Sequence, residues 1–222
     1  MSGPDLPVTQ DTPSIRLIGT LAAAGALAGL LIVMVHVWAQ PRIQEHQARV
    51  LREAIQEVLA SPAHTTALYL VDGALTDQLP AGADSLALER VFLGFDDSNR
   101  PVGVAIIGAK PGFQDVIRLI FGYDPASGQV LGMKILESKE TPGLGDKIEK
   151  DSAFVAEFDG IDTPLLGVKP GAGRGRVGEV DLITGATISA RTVIAIINDR
   201  VEAMAPLLEA YAGRVAARDR GN

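Results

Sequence analysis

The sequence contains no cysteine, and that absence removes several kinds of chemistry. A chain without thiols forms no disulfide, uses no thiol nucleophile and binds no cysteine-ligated iron–sulfur cluster. Histidine is almost as scarce: His36, His46 and His64 are scattered along the chain, so neither a protein-bound zinc nor a haem is expected. We therefore predict no metal site, and any redox function has to use an organic cofactor.

Positive charge is also in short supply. Lysine and arginine together number 20 against 27 acidic residues, which gives a formal net charge of −7. Proteins that bind nucleic acid usually present a basic surface. We therefore expect no nucleic-acid partner.

One stretch, residues 17–39, lacks charged residues of either sign and consists mostly of leucine, alanine, isoleucine and valine. It is long enough to cross a hydrocarbon core of about 30 Å, and Trp38 stands at its end, where aromatic residues anchor at the membrane interface. A cleaved signal peptide is the alternative. The length of the apolar run, and Pro41 just behind it, favour an uncleaved membrane anchor.

The composition divides the chain into five segments. We predict a disordered cytoplasmic tail over residues 1–15, the anchor over 16–40, a stalk helix and connection over 41–88, a folded domain over 89–212 and a second tail over 213–222. Within the domain, short apolar runs separated by turn residues predict strands. The predicted fold class is α+β, with a single N-terminal transmembrane helix followed by a mixed, mostly antiparallel sheet and flanking helices.

Near the C-terminal end, the sequence contains the pattern Asp-x-x-Thr-Gly-Ala-Thr-x-Ser, and apolar residues then recur at helical spacing. This spacing predicts an amphipathic helix that begins near Thr187. A helix N-terminus gathers unpaired N–H groups and a partial positive charge, so a phosphate is stabilised there, beside the Thr187 hydroxyl. Gly185 and Ala186 leave the backbone amides open to a phosphate. A plain loop with a helix cap is the alternative.

A second motif, Glu-Thr-Pro-Gly-Leu-Gly, occupies residues 140–145 and follows a predicted strand that ends near Leu136. The two motifs, in this order, resemble those of a known flavoprotein family. That family comprises the G subunit of the Rnf ion-translocating electron-transport complex and the C subunit of the sodium-pumping NADH:quinone reductase. The resemblance covers roughly residues 90–210 together with the N-terminal anchor.

The resemblance implies that the domain binds FMN and that a phosphoester bond joins the cofactor to Thr187. Leu144 is then expected to pack on the flavin ring, Thr141 to hydrogen-bond its pyrimidine side, and Glu140 to orient the loop or contact the ribityl chain. Asp181 would repel a phosphate, and the resemblance implies that a flavin transferase recognises it. The full set of implied cofactor-binding residues is Asp181, Thr184, Gly185, Ala186, Thr187, Ser189, Glu140, Thr141, Leu144 and Gly145.

One loop departs from the family pattern. Where the family tends to have a Gly-Tyr-Gly-Gly-like turn that opens a strand, this chain has Pro-Gly-Phe-Gln-Asp at residues 111–115. A glycine pair is lost and an acid is added, so the resemblance does not extend to contacts from this loop.

The resemblance implies a subunit that relays electrons within a complex coupling electron transfer between ferredoxin and NAD to ion transport. Its partners would be the other membrane and peripheral subunits of the Rnf complex, and a flavin transferase for maturation. No acid, base or nucleophile stands in a suitable constellation, so we predict an electron carrier without catalytic residues rather than a stand-alone enzyme.

The family places its flavin domain outside the cytoplasm, which implies a single pass through the bacterial inner membrane with the domain on the periplasmic side. The arginines argue weakly the other way, because Arg42, Arg49 and Arg52 follow the anchor and only Arg16 precedes it. The positive-inside rule, by which arginine and lysine concentrate on the cytoplasmic side, is less reliable when a long domain follows the membrane span.

Three other hypotheses remain open at this point. The first is that the chain is the C subunit of the sodium-pumping reductase, although length and motif context favour the G subunit of the Rnf complex. A membrane-anchored scaffolding or binding module would carry no flavin at all. A flavoprotein reductase acting on a soluble substrate would need an open substrate pocket beside the flavin.

Overall fold

The computed structural model describes residues 14–80, 82, 88–172 and 177–219. Its helices are α1 (Ser14–Val58), α2 (Lys147–Lys150), α3 (Ser152–Ala156) and α4 (Thr187–Asp219). Its strands are β1 (His64–Val71), β2 (Ala74–Thr76), β3 (Arg90–Phe95), β4 (Pro101–Pro111), β5 (Val116–Asp124), β6 (Gln129–Glu137), β7 (Ile161–Asp162), β8 (Leu166–Val168) and β9 (Glu179–Asp181). Of the predicted N-terminal tail, residues 1–13 lie outside the described part, and Ser14 and Ile15 belong to α1.

The first helix is long and apolar enough to cross a membrane, and its apolar window is not buried by other parts of the protein. Leucine and alanine are strong helix formers, which favours this conformation throughout the window. The helix continues through Pro41, although the sequence predicted a boundary between anchor and stalk at that point. The chain forms two compact units, one up to Arg49 and one from Val50 onward.

The second unit is built on a sheet whose described strands follow the order β2-β1-β3-β4-β5-β6-β7, with every neighbouring pair antiparallel. A separate pair, β8 and β9, is parallel. The large sheet is thus antiparallel between its described strands, and only the separate pair is parallel, so the domain as a whole is mixed and mostly antiparallel, as the sequence predicted. It begins at His64, however, earlier than the predicted domain start at residue 89.

The early start has a local cause. Asp72 and Gly73 both adopt positive φ angles, of 50° and 76°, and pair Val71 with Ala74 across a tight hairpin. An Asp-Gly pair between two apolar runs is a strong hairpin signal because Gly tolerates positive φ without strain and Asp does so better than most residues. Residues 64–76 are thus part of the sheet, and the predicted connection is shorter than residues 41–88 suggest.

The sheet is covered on both faces. Side chains alternate along each strand, so in β4 Ile106 packs into a large apolar cluster and Ala105 and Ile107 into a smaller one. The large cluster includes side chains from α2, α3 and α4, and the smaller one includes Ala54, Ile55 and Val58 from the end of α1. The core of the domain therefore consists of a sheet between α4 and the last turns of α1.

Three glycines on adjacent strands make room for Val58, the last residue of α1, and for Leu59, which follows it. A methyl group on Gly94 of β3 would lie 2.8 Å from Leu59 Cδ1, and one on Gly103 of β4 would lie 3.3 Å from Leu59 Cδ2. On β5, a methyl group on Gly122 would overlap the carbonyl oxygen of Val58. We call Gly94, Gly103 and Gly122 the glycine groove.

The last helix, α4, begins at Thr187, as the sequence predicted, and extends for 33 residues to Asp219. The helix extends beyond the predicted domain boundary at residue 212, and its residues 212–218 are exposed. Residues 220–222 of the predicted tail lie outside the described part. The buried face of the helix comprises Ala190, Val193, Ile194, Ile196, Ile197, Val201, Met204 and Leu208.

Candidate functional site

Thr187 is the first residue of α4, and its side chain is exposed. Its hydroxyl Oγ1 donates a hydrogen bond to the carbonyl oxygen of Ile183 at 3.3 Å. The first N–H groups of a helix have no acceptor within the helix. Thr187 therefore combines an accessible hydroxyl with the partial positive charge of a long helix.

The turn before Thr187 depends on the glycine and the alanine of the motif. Gly185 adopts φ of +84°, a conformation that L side chains rarely adopt. Ala186 is only 4% exposed and packs in the core. Its N–H donates to the carbonyl of Ile183 at 3.0 Å, and its own carbonyl accepts from Ala190 at 2.9 Å. The motif thus holds a tight turn against the core and directs Thr187 outward.

The loop at residues 140–145 lies directly beside this turn. It leaves β6, and the Leu144 N–H donates to the carbonyl of Thr141 at 3.1 Å. A methyl group placed on Gly185 would lie 3.6 Å from Leu144 Cδ2, which is ordinary van der Waals contact. The two motifs are therefore adjacent in space, and Leu144 stands between them with half of its side chain exposed.

Glu140 is the central group of this region, and only 5% of it is exposed. Its Oε2 accepts the hydroxyl of Ser189 at 2.7 Å. Its Oε1 accepts the backbone N–H groups of Gln114 at 3.0 Å and Asp115 at 3.4 Å. Burial acts to raise the pKa of the Glu140 carboxyl, but the Ser189 hydroxyl and these amides stabilise the anion and hold that pKa below its ordinary value.

Two glycines enclose the carboxylate of Glu140. A methyl group on Gly112 would lie 2.5 Å from Oε1, and one on Gly145 would lie 2.6 Å from Oε2 and 3.2 Å from Ser189 Oγ. The two distances to the carboxylate oxygens are shorter than real Cβ contacts allow. The family resemblance implied that Gly145 contacts the cofactor. The structure gives a different reason for a glycine here, since any side chain would displace Glu140.

The loop that departs from the family pattern is part of the same arrangement. Gln114 donates its backbone N–H to Glu140, and its side-chain Oε1 also accepts a hydrogen bond from the Thr141 hydroxyl at 2.7 Å. Thr192 on α4 donates to the carbonyl of Pro111 at 3.4 Å. Residues 111–115, 140–145 and 183–189 thus converge, and we call them the three-loop site.

Each part of the three-loop site presents one exposed large hydrophobic side chain. Phe113 is 68% exposed, Leu144 is 50% exposed and Ile188 is 54% exposed. The family resemblance implied a ring contact for Leu144, whereas Phe113 and Ile188 had no predicted role at the cofactor. The available signal was that each is a large apolar residue among small or polar neighbours.

Two further predicted residues, Asp181 and Thr184, lie shortly before Thr187 in the chain. Asp181 is the last residue of β9, and its backbone N–H donates to Glu157 Oε2 at 2.7 Å. Thr184 is exposed in the turn between that strand and α4.

Chemically, the three-loop site offers an exposed threonine and the amides of a helix N-terminus beside a small apolar surface with polar edges. That set matches FMN, whose phosphate and flat isoalloxazine ring need those two environments.

The comparison with known protein families agrees with this geometry. Residues 112–202 match the family model of the FMN-binding domain, a range that includes nearly all of the three-loop site. The G subunit of the ion-translocating oxidoreductase complex of Shewanella loihica is 30% identical over 188 residues, which cover 83% of this chain and 86% of the relative. The corresponding protein of Pectobacterium atrosepticum is 33% identical over 178 residues, covering 79% of this chain and 82% of the relative. The chain belongs to the family of these G subunits.

An archaeal member of the family is also similar. The G subunit of the ion-translocating oxidoreductase complex of Methanosarcina acetivorans is 27% identical over 190 residues, covering 84% of this chain and 92% of the relative. Membership and the N-terminal apolar helix together identify the chain as a membrane-anchored member of this family.

Two crystal structures share the fold. NqrC from Shewanella oneidensis superposes with a TM-score of 0.58 at 20% identity, covering 75% of this chain and 97% of that one. The C subunit of the Na⁺-translocating NADH-quinone reductase from Parabacteroides distasonis superposes with a TM-score of 0.52, also at 20% identity, and covers 66% of this chain and 78% of that one. The predicted α+β fold of the FMN-binding domain is therefore confirmed.

Proposed function

We propose that this chain is the flavoprotein subunit of a membrane-bound, ion-translocating ferredoxin:NAD oxidoreductase complex and relays electrons through FMN attached covalently to Thr187. The observation that supports it most is the exposed Thr187 hydroxyl at the start of a 33-residue helix, next to the Glu140–Gly145 loop. The family's G subunits are named as parts of ion-translocating oxidoreductase complexes, which supports the assembly.

Thr187 carries the attachment. A phosphoester forms when the Thr187 oxygen bonds to the FMN phosphorus and the hydroxyl proton leaves. Direct condensation would release water and is unfavourable in water, so the donor has to be activated. In FAD the pyrophosphate bond breaks and AMP leaves as FMN is transferred. The product keeps one negative charge, which the free amides at the start of α4 stabilise.

The other residues of the three-loop site bind and orient the cofactor. Leu144, Phe113 and Ile188 supply apolar surface for the ring, and Gly185 lets the backbone turn toward the phosphate. Thr141 has its hydroxyl proton committed to Gln114, so it acts toward the ring as an acceptor. When bound, FMN accepts and donates electrons, and the protein contributes orientation and electrostatics.

An exposed site suits an electron carrier better than a reductase for a soluble substrate. Within the described residues, a cavity of about 490 Å³ lies around Glu157, Asp162 and Glu179, and none of its lining residues belongs to the three-loop site. A reductase would need a substrate pocket beside the flavin. The proposed partners are therefore neighbouring subunits that bring their own cofactors close, and a flavin transferase that recognises Asp181 during maturation.

The proposal includes a location. The domain lies on the periplasmic side of the bacterial inner membrane, and α1 crosses the membrane once. The family resemblance supports this side.

The test is to produce the full chain together with a flavin transferase, run it on a denaturing gel under ultraviolet light and measure its intact mass. We expect fluorescence that survives denaturation and an added mass of one FMN less one water. Thr187→Ala should abolish both. Thr184→Ala, three residues away in the same exposed turn, is the matched control and should retain flavin at a reduced level. Undiminished covalent flavin in Thr187→Ala would rule out the anchor, and an unmodified wild-type chain would favour the scaffolding hypothesis.

A further inference from the structure

Two polar side chains, Glu140 and Ser189, are buried within the part of the chain that the structure describes, at 5% and 1% exposure. They come from the two separate motifs and are hydrogen-bonded to each other at 2.7 Å. Burying a carboxylate is unfavourable unless hydrogen bonds stabilise the charge, and a well-packed apolar pair often stabilises a fold as well. A buried Glu–Ser pair at this place therefore calls for an explanation beyond stability.

The carboxylate of Glu140 joins the three parts of the site. It belongs to the 140–145 loop, its Oε1 accepts N–H groups of Gln114 and Asp115, and its Oε2 accepts the Ser189 hydroxyl from the first turn of α4. Gly112 and Gly145 close it in on both sides. Three protein donors thus occupy the carboxylate, so it acts on its neighbours rather than on a ligand.

The position of Ser189 on the helix connects this bond to the attachment site. An α-helix turns by about 100° per residue, so residues two apart point in nearly opposite directions. Ser189 points inward to Glu140, and Thr187, two residues before it, is exposed. Fixing Ser189 inward therefore fixes the rotation of the first turn that directs Thr187 to solvent.

We propose that Glu140 is a positioning residue that holds the three loops in one arrangement and, through Ser189, presents the Thr187 hydroxyl for attachment of FMN. This inference rests on the proposed function, because it assigns Glu140 a role in the attachment reaction. It predicts that losing the Glu140–Ser189 hydrogen bond slows flavin attachment more than losing a hydrogen bond elsewhere in the domain, even where both losses lower the melting temperature.

The experiment measures the initial rate of flavin attachment to the detergent-solubilised full chain, with a purified flavin transferase and FAD, by fluorescence after denaturation. Glu140→Ala should slow attachment by roughly tenfold or more, since small displacements of a reacting group lower rates steeply. Glu140→Gln should recover most of the rate, because its amide can accept from the backbone and donate to the Ser189 oxygen. Ser189→Ala should slow attachment as well and serves as the test variant if Glu140→Ala does not fold.

Asn198→Ala is the matched control. Asn198 also lies on α4 and ties it to a loop, since its side chain accepts from the Leu165 N–H at 2.8 Å and donates to the Leu165 carbonyl at 2.9 Å. Its loss should lower the melting temperature yet change the attachment rate by less than about twofold, because it lies away from the reacting group. Hydrogen exchange at the amides of Gln114 and Asp115 should accelerate in Glu140→Ala and not in Asn198→Ala.

The outcomes separate the two proposals. If wild type accepts flavin and Glu140→Ala accepts it as fast as Asn198→Ala, the positioning role is refuted while the proposed function stands. If Glu140→Gln is as slow as Glu140→Ala, the hydrogen-bond geometry does not explain the effect and the inference also fails. A wild-type chain that stays unmodified refutes the proposed function itself, and the inference with it.

Discussion

Glu140 links the electrostatics of the site to the stability of the domain. Burial raises the pKa of its carboxyl, but the Ser189 hydroxyl and the backbone amides of residues 113–115 outweigh burial and hold that pKa below the ordinary value of 4.5. A group whose folded-state pKa lies below its unfolded-state pKa contributes stability above the unfolded pKa. That contribution is lost as the pH falls through the folded pKa.

The pH dependence of unfolding tests this. We expect wild type to be more stable than Glu140→Gln near neutral pH and the difference between them to shrink as the pH falls below about 4.5. Thermal melting of both chains between pH 7 and pH 3 measures this difference in stability. Other carboxyls with a lowered pKa, such as Asp96 and Asp146, are present in both chains, so their contributions to the pH dependence cancel in the difference. A difference that stays constant, or grows, toward low pH would contradict the assignment.

Residue patterns predicted the position of Thr187 but left the role of Glu140 undecided. The motif placed a threonine at a helix start, and local spacing was enough for that. Glu140 was expected to orient its loop or to contact the ribityl chain, and the structure shows its carboxylate joined to protein groups. The sequence could not decide between these roles because Ser189 lies 49 residues away and no local pattern links the two.

At the scale of elements, the hydrophobic pattern of the sequence predicted strands in most of the sheet but did not predict β1 and β2. Residues 64–76 follow the end of a long helix, so they were assigned to a connection although Asp72-Gly73 is a hairpin signal. The glycine groove was also not predictable, because its members lie on three strands and only the register brings Gly94 opposite Gly103.

The glycine groove gives a prediction about packing. A methyl group on Gly94 would meet the end of the Leu59 side chain, whereas one on Gly122 would meet the backbone carbonyl of Val58. Overpacking of this kind usually costs about 1–3 kcal/mol. We expect Gly94→Ala and Gly122→Ala both to destabilise the domain, and Leu59→Ala to relieve much of the first effect and little of the second.

Thermal melting of the single and double variants measures these couplings. Gly213→Ala is the control, since nothing lies within 4 Å of a methyl group there and alanine favours a helix. Equal relief of both glycine variants by Leu59→Ala would contradict the steric explanation, because a side-chain truncation cannot move a backbone carbonyl.

On the scale of the whole molecule, the composition and the site support the same function. A chain without cysteine and with few histidines has to obtain redox chemistry from an organic cofactor, and the three-loop site offers a place for one at the surface. Electron carriers work by bringing cofactors close together, so an exposed flavin serves this purpose and a deep substrate pocket does not. The family, the fold and the site geometry are therefore consistent with one component of a larger complex.

The absence of cysteine also makes the proposed membrane topology directly testable, because any cysteine introduced is the only one in the chain. Ser14 begins α1 and Asn99 lies in an exposed turn of the domain. In intact spheroplasts, a membrane-impermeant maleimide should label Asn99→Cys and not Ser14→Cys. After lysis it should label both on a chain that still sediments with the membrane, as an uncleaved anchor requires. Labelling of Ser14→Cys and protection of Asn99→Cys in intact spheroplasts would place the domain in the cytoplasm, the side that Arg42, Arg49 and Arg52 weakly favour.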